Sequence, residues 1–143
     1  MTALDLLARR EHSEQELARK LSARGVDNGV IGTTLAALVT EGLLSNARYT
    51  ESFVYSRFQR GQGPQKIRAE LRARGIDDDM IDVCLADYDT RWQELLEQVR
   101  LKKFGPERPG SLSERNRQMC FLLQRGFTAE QVGKLFRGYD RVT

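Results

Sequence analysis

The chain has 143 residues, 40% of them hydrophobic and 30% charged, a balance expected of a folded, soluble protein with apolar helix seams beneath a charged surface. No run approaches the roughly 18 apolar residues that a membrane span needs, and the first ten residues lack the apolar stretch of a secretory signal, so the cytoplasm is the expected compartment. The net charge of +3 is only mildly basic, but it is banded: Arg57 to Gly75 holds six basic residues and one acid, Ile76 to Glu97 eight acids and one Arg, and Gln98 to Arg125 seven basic residues and two acids.

The apolar spacing predicts a first helix over Ala3 to Arg10. A second opens at Ser13 and Glu16, an S-x-x-E capping box, and continues through Leu17 and Leu21, four apart on one face. Gly25 then stops it, since glycine accepts the left-handed conformation that closes a last turn. Val26 is placed to tuck back, and Asp27 to cap a third helix carrying Ile31, Leu35 and Leu38.

The pattern then recurs. Glu14 to Leu35 aligns without a gap on Pro64 to Leu85 at a constant offset of 50 residues, and a third copy, shifted by 51 from the second, runs through Leu122, Gly126, Phe127, Thr128, Val132 and Phe136. The first helices of these later copies are predicted at about Ala47 to Arg60 and about Thr90 to Phe104. Gly63 and Pro64 mark entry to the middle helix of the second copy. The stretch GPERPGSL, Gly105 to Leu112, reads as a surface loop. The expected fold is all-α: three tandem three-helix repeats, helix-turn-helix-like units, at residues 1–44, 45–89 and 90–143, in an elongated, curved array. A monomer is the simpler expectation, because stacked repeats bury one another's faces.

A short turn before a last helix suggests a DNA-reading unit, but Asp78, Asp79, Asp82 and Asp87 on that helix of the second repeat repel phosphates, which argues against sequence-specific reading there. Arg68 and Arg72, four apart, with Arg57, Arg60 and Lys66 nearby, read as a basic stripe able to meet DNA phosphates or an acidic protein groove. The competing account is a solvated face with local pairs such as Glu70 and Arg74. A later basic group, Lys102, Lys103, Arg108, Arg115, Arg117 and Arg125, is scattered around the predicted loop.

Other residues carry little chemistry. Gly61-Gln62-Gly63 lacks the preceding strand and following lysine of a phosphate loop and reads as an interhelical turn. His12, the one histidine, reads as a capping-turn residue, and Cys84 and Cys120, without CxxC spacing, as two buried thiols. Phe53 fits an apolar helix face, whereas Tyr49, Phe58 and Trp92 are open to either packing or base stacking. No nucleophile motif, carboxylate pair, metal cluster or cofactor motif stands out, so catalytic, metal and cofactor residues are expected to be absent.

Taken together, REHSEQELARKL (Arg10 to Leu21), EGLLSNARYTESFVYSRFQRGQGPQKIRAELRARGI (Glu41 to Ile76), KKFG (Lys102 to Gly105) and FLLQRGF (Phe121 to Phe127) resemble the RecX family along nearly the whole chain. Ser45, Asn46 and Tyr49 are small departures from that pattern. The resemblance implies a non-enzymatic modulator that docks in the groove of the RecA filament on single-stranded DNA and hinders filament extension, ATP hydrolysis, strand exchange and coprotease activity. On that footing Arg57, Arg60, Lys66, Arg68, Arg72, Lys102, Lys103 and Arg117 are candidate filament or DNA contacts, with weak direct DNA binding as a further expectation. Two other functions fit the residues: a nucleic-acid-binding regulator independent of RecA, which predicts tight, salt-sensitive DNA binding, and a generic helical scaffold, which predicts neither activity.

Overall fold

The computed structural model describes residues 2–141. Among them are nine helices and no strand: α1 (Ala3–Arg9), α2 (Glu14–Ala23), α3 (Asn28–Thr40), α4 (Asn46–Gln59), α5 (Pro64–Ala73), α6 (Asp78–Ala86), α7 (Trp92–Phe104), α8 (Leu112–Gln124) and α9 (Ala129–Arg141). The connection from Gly105 to Ser111 is the expected loop.

The recurrent Gly-apolar-cap turn forms three times in the same way. Gly25, Gly75 and Gly126 have φ of 81°, 82° and 103°. At each, two backbone bonds close the helix: Gly25 N–H to Ser22 O (3.0 Å) and Val26 N–H to Leu21 O (3.2 Å), then Gly75 to Arg72 (3.1 Å) and Ile76 to Leu71 (3.1 Å), then Gly126 to Leu123 (3.0 Å) and Phe127 to Leu122 (3.2 Å). This pairing satisfies carbonyls that the helix end leaves open and needs a left-handed residue at the glycine. The next helix is then capped: Asp27 accepts from Gly29 N–H (3.0 Å), Asp77 from Met80 N–H (2.9 Å) and Thr128 from Gln131 N–H (3.0 Å). Gln131 reciprocates by accepting from Thr128 N–H at 2.9 Å, completing a capping box.

The box expected at Ser13 forms only in part. Ser13 accepts from Glu16 N–H at 3.0 Å, but the Glu16 carboxylate takes the Arg10 guanidinium in two bonds of 3.0 Å. A bidentate charged pair outcompetes a single bond to a neutral backbone N–H.

The chain folds as two compact units, one of residues 1–53 with Glu70–Cys84, the other of Val54–Ala69 with residues 85–143. In the first, Leu6, Leu17, Leu21, Ile31, Leu38 and Leu44 form the core of α1–α3, with Val26 and Leu35 packed against it. The second holds an aromatic cluster, Phe58 with Tyr88 and Trp92 at centroid distances of 4.8 and 5.3 Å. Tyr49, Phe58 and Trp92 are all buried, so they pack instead of presenting faces to bases.

The two units repeat one joint. In the first, Ser13 Oγ donates to Arg74 O at 3.2 Å, and Gly75 abuts Gln15 so closely that an added Cβ would lie 2.5 Å from its Oε1. In the second, Gly63 N–H donates to Arg125 O (2.9 Å) and Gln65 N–H to Gly126 O (2.8 Å). Ser13 and Gln15 are the repeat equivalents of Gly63 and Gln65, and Arg74 and Gly75 those of Arg125 and Gly126. The turn that ends a middle helix therefore seats on the start of the preceding repeat's middle helix. Gly63 does more than turn the chain: its α-hydrogen faces backbone, and a Cβ there would lie 2.4 Å from Gly126 C.

One expectation needs correction and one needs completing. Cys84 is buried, but Cys120 is exposed, because it falls on the solvent side of α8 between the buried Gln118 and Leu122. His12 does lie in the turn before the Ser13 cap, but it is buried there. It is 1% exposed, with Nδ1 3.0 Å from Arg10 O and Nε2 2.8 Å from Lys20 Nζ.

Candidate cationic interface

The sequence-predicted cations occupy different settings. Arg57 and Arg68 are half-buried on α4 and α5, and Lys66 is exposed in the first turn of α5. Arg72 is exposed, in the other compact unit from these three, and its guanidinium is held by the Asp78 carboxylate through bonds of 2.6 and 3.1 Å. That hydrogen-bonded pairing raises the Arg72 pKa further above its ordinary value. Arg117 makes a two-bond pair with Glu114 (2.8 and 3.0 Å) and lies 5.2 Å from the Phe104 ring centre, while the same guanidinium holds Glu114 below the usual carboxylate range.

What the fold does bring together is a different set. Arg60, just past the end of α4, meets Lys102 and Lys103 from the last turn of α7 and Arg125 from the end of α8 around an open hollow of about 540 Å³. Its other lining residues include Gln59, Gln98, Val99 and Phe121, and none of the described residues lining it is acidic. Lys103 Nζ stands 5.4 Å from the Phe121 ring centre.

Arg125 is the member that ties the hollow to the fold. One of its terminal nitrogens, Nη2, donates to Arg60 O at 2.6 Å, covering a carbonyl at the C-terminal end of α4, and its buried Nε–H has no acceptor among the described residues. Gly61, φ 79°, sits against it: a Cβ there would come within 2.9 Å of both Arg125 Nη2 and Val99 Cγ2. Sequence reasoning placed Arg125 only in a scattered group. The signal that would have singled it out is the repeat itself, since Arg24, Arg74 and Arg125 occupy the same position before the turn glycine.

Arg100, in contrast, leaves the basic band altogether. It is 4% exposed and directs its guanidinium to Gln118 Oε1 (3.0 Å) and Glu107 O (2.6 Å), with Tyr139 beside it. Among the described residues no group of three or more His, Cys, Asp or Glu is placed to hold a metal, and no helix is long and apolar enough to cross a membrane.

Among the described residues, nine helices with a thrice-repeated turn and a twice-repeated joint define a helical-repeat protein of three-helix domains. Family models for the first, second and third three-helix domains of RecX match residues 2–38, 45–85 and 89–136, and the chain belongs to the RecX family. It is 50% identical over 130 residues to a regulatory protein RecX of Halorhodospira halophila, covering 91% of this chain and 81% of that one. With a regulatory protein RecX of Pseudomonas entomophila it shares 47% identity over 139 residues, 97% of this chain and 90% of that one. The fold is that of the crystal structure of RecX from Lactobacillus salivarius, with a TM-score of 0.83 at 21% identity over 98% of this chain and 93% of that one.

Proposed function

We propose that this chain is a non-catalytic, cofactor-free regulator that binds the RecA nucleoprotein filament on single-stranded DNA and restrains its recombinase, ATPase and coprotease activities by occupying the filament groove and hindering extension. The observation that carries the proposal is the match, along nearly the whole chain, to proteins named regulatory protein RecX. It acts in the cytoplasm as a monomer, with repeats at 1–44, 45–89 and 90–143. Arg57, Arg60, Lys66, Arg68, Lys102 and Lys103 supply contacts to filament or DNA, their attraction steering encounter more than setting final affinity. Arg72 and Arg117, each already held by a carboxylate, contribute less than Arg60, Lys102 and Lys103.

The test is the ATPase rate of RecA on single-stranded DNA during titration with this protein. A fall in rate at concentrations too low to coat the free DNA is the expected result. An unchanged rate alongside tight DNA binding replaces the proposal with a nucleic-acid-binding regulator independent of RecA.

A further inference from the structure

The joint at the Gly75 and Gly126 turns has two halves, a turn and a helix start, and a third copy of each half stands elsewhere in the chain. The third turn is Arg24-Gly25-Val26. It has the same closing bonds as its copies, with φ of 81° at Gly25, yet a Cβ built on Gly25 meets nothing within 4 Å, whereas at Gly75 and Gly126 it meets Gln15 and Lys66. The apolar residue after the glycine differs in the same way: Val26 is half-buried, while Ile76 and Phe127 are 4% and 2% exposed.

The third helix start is that of α8. Ser13, Gly63 and Ser111 each stand immediately before a middle helix, and Ser111-Leu112-Ser113-Glu114 repeats the S-x-x-E of Ser13 to Glu16. Ser111 Oγ accepts from Glu114 N–H at 3.1 Å, as Ser13 Oγ does from Glu16 N–H, and each hydroxyl keeps its hydrogen for another acceptor. Ser13 gives that hydrogen to Arg74 O in the joint. α8 runs 13 residues against 10 for α2 and α5, which sets its start about 4.5 Å farther along the helix axis. Ser111, Leu112 and Ser113 are exposed, Leu112 at 73%, beside an open hollow of about 370 Å³ that Arg108 and Tyr139 also line. Arg108 at this start and Asp27 beside the Gly25 turn are opposite in charge.

We infer that the Gly25 turn of one copy of this chain seats on the α8 start of another. Ser111 Oγ and Ser113 N–H donate to the carbonyls of Arg24 and Gly25, repeating the bonds made to Arg74 and Gly126. The contact joins unlike surfaces, so copies add end to end instead of pairing about a twofold axis. A contact this small does not offset the lost freedom of two dilute chains, which stay monomers, and it forms where copies are concentrated. It needs no recombinase, so it stands or falls separately from filament inhibition.

The experiment is cross-linking of the full chain with a short bismaleimide at high protein concentration, in a Cys120→Ser background that leaves only the buried Cys84. Ala23→Cys and Ser113→Cys, both at exposed positions, mark the two halves. Their equimolar mixture should give about fivefold more dimer than either variant alone. Ala73→Cys, at the same position before the occupied Gly75 turn, should give no such excess with Ser113→Cys. Ser111→Asp, added to the Ser113→Cys chain, keeps the helix cap but removes the hydroxyl donor, and should lower the mixed product about fivefold. Equal yields from the mixture and the single variants, an equal excess with Ala73→Cys, or no loss with Ser111→Asp would each overturn the assignment.

Discussion

The backbone N–H of Gly63 donates to the carbonyl of Arg125 at 2.9 Å, and this bond, with its neighbour from Gln65 to Gly126, seats the third repeat's turn on the second repeat's middle helix. The contact is made backbone to backbone, so it tolerates no side chain. Gly63→Ala would put a Cβ 2.4 Å from Gly126 C and Phe127 N, and Gly126→Ala would combine φ of 103° with a Cβ 2.4 Å from Lys66 Cβ. Each is expected to cost about 2–4 kcal/mol in urea unfolding. Gly75→Ala, at the equivalent joint, meets side-chain atoms of Gln15 (Oε1 at 2.5 Å, Cβ at 3.0 Å) where Gly126→Ala also meets the Lys66 backbone, and should cost less than Gly126→Ala, and Gly110→Ala, with open space around it, should stay within about 0.5 kcal/mol. The reverse order would show that the joint does not limit stability.

His12 makes stability depend on pH. Burial is the main cause of its lowered pKa, and the charges of Arg10 and Lys20 act in the same direction. Its short contact with the Lys20 ammonium requires an unprotonated Nε2, leaving Nδ1–H to donate to Arg10 O. The unfolded chain takes up this proton near pH 6.5, whereas the folded chain resists it until a lower pH, so the contribution is full above about 6.5 and is lost as pH falls from there through the folded value. Urea midpoints at pH 7.5 and 5.5 should differ more for the natural chain than for His12→Gln, which keeps a neutral acceptor. Equal pH dependence of the two would remove His12 from the account.

Arg100 anchors the Gly105–Ser111 loop from within. Its guanidinium binds the Glu107 carbonyl and the Gln118 amide oxygen while lying 4.9 Å from the Tyr139 ring centre. Arg100→Ala should destabilise the chain by about 2–4 kcal/mol, since it empties a buried site and strips the buried Gln118 amide oxygen of its donor. Arg100→Lys should recover only part of this, because an ammonium lacks the planar fork that reaches both partners. Thermal unfolding of the two variants measures the difference, and full recovery by lysine would show that charge alone suffices.

The cations should not contribute equally to filament inhibition. Arg60→Glu with Lys66→Glu is expected to raise the concentration for half-inhibition of the RecA ATPase about tenfold, because both residues are exposed to an approaching surface. Arg72→Glu should have a smaller effect, its charge being already engaged by Asp78. A larger effect from Arg72 would relocate the contact surface to that residue's face of α5.

Much of this architecture depends on local rules and was therefore legible in the residues alone. Leu17 and Leu21, Gly25 and Asp27, and their copies 50 and 51 positions on, specify helix, stop and cap through interactions within about five residues, so the repeat and its three turns follow directly. Helix ends shifted by a residue or two, as at Trp92 where turns occupy the residues before it, because fraying ends are decided by weak competing bonds. The RecX resemblance was equally visible, since it lies in order and spacing. What tertiary structure decided is how charges separated in sequence are distributed in space. Arg125 reaches the carbonyl of Arg60, 65 residues away, and so completes a cationic hollow, whereas Arg100 is drawn from the same basic band into the interior. His12, Cys120 and Gly63 were misread or read only in part for the same reason: burial, exposure and backbone contact depend on which helix packs opposite, and no spacing along the chain encodes that distance.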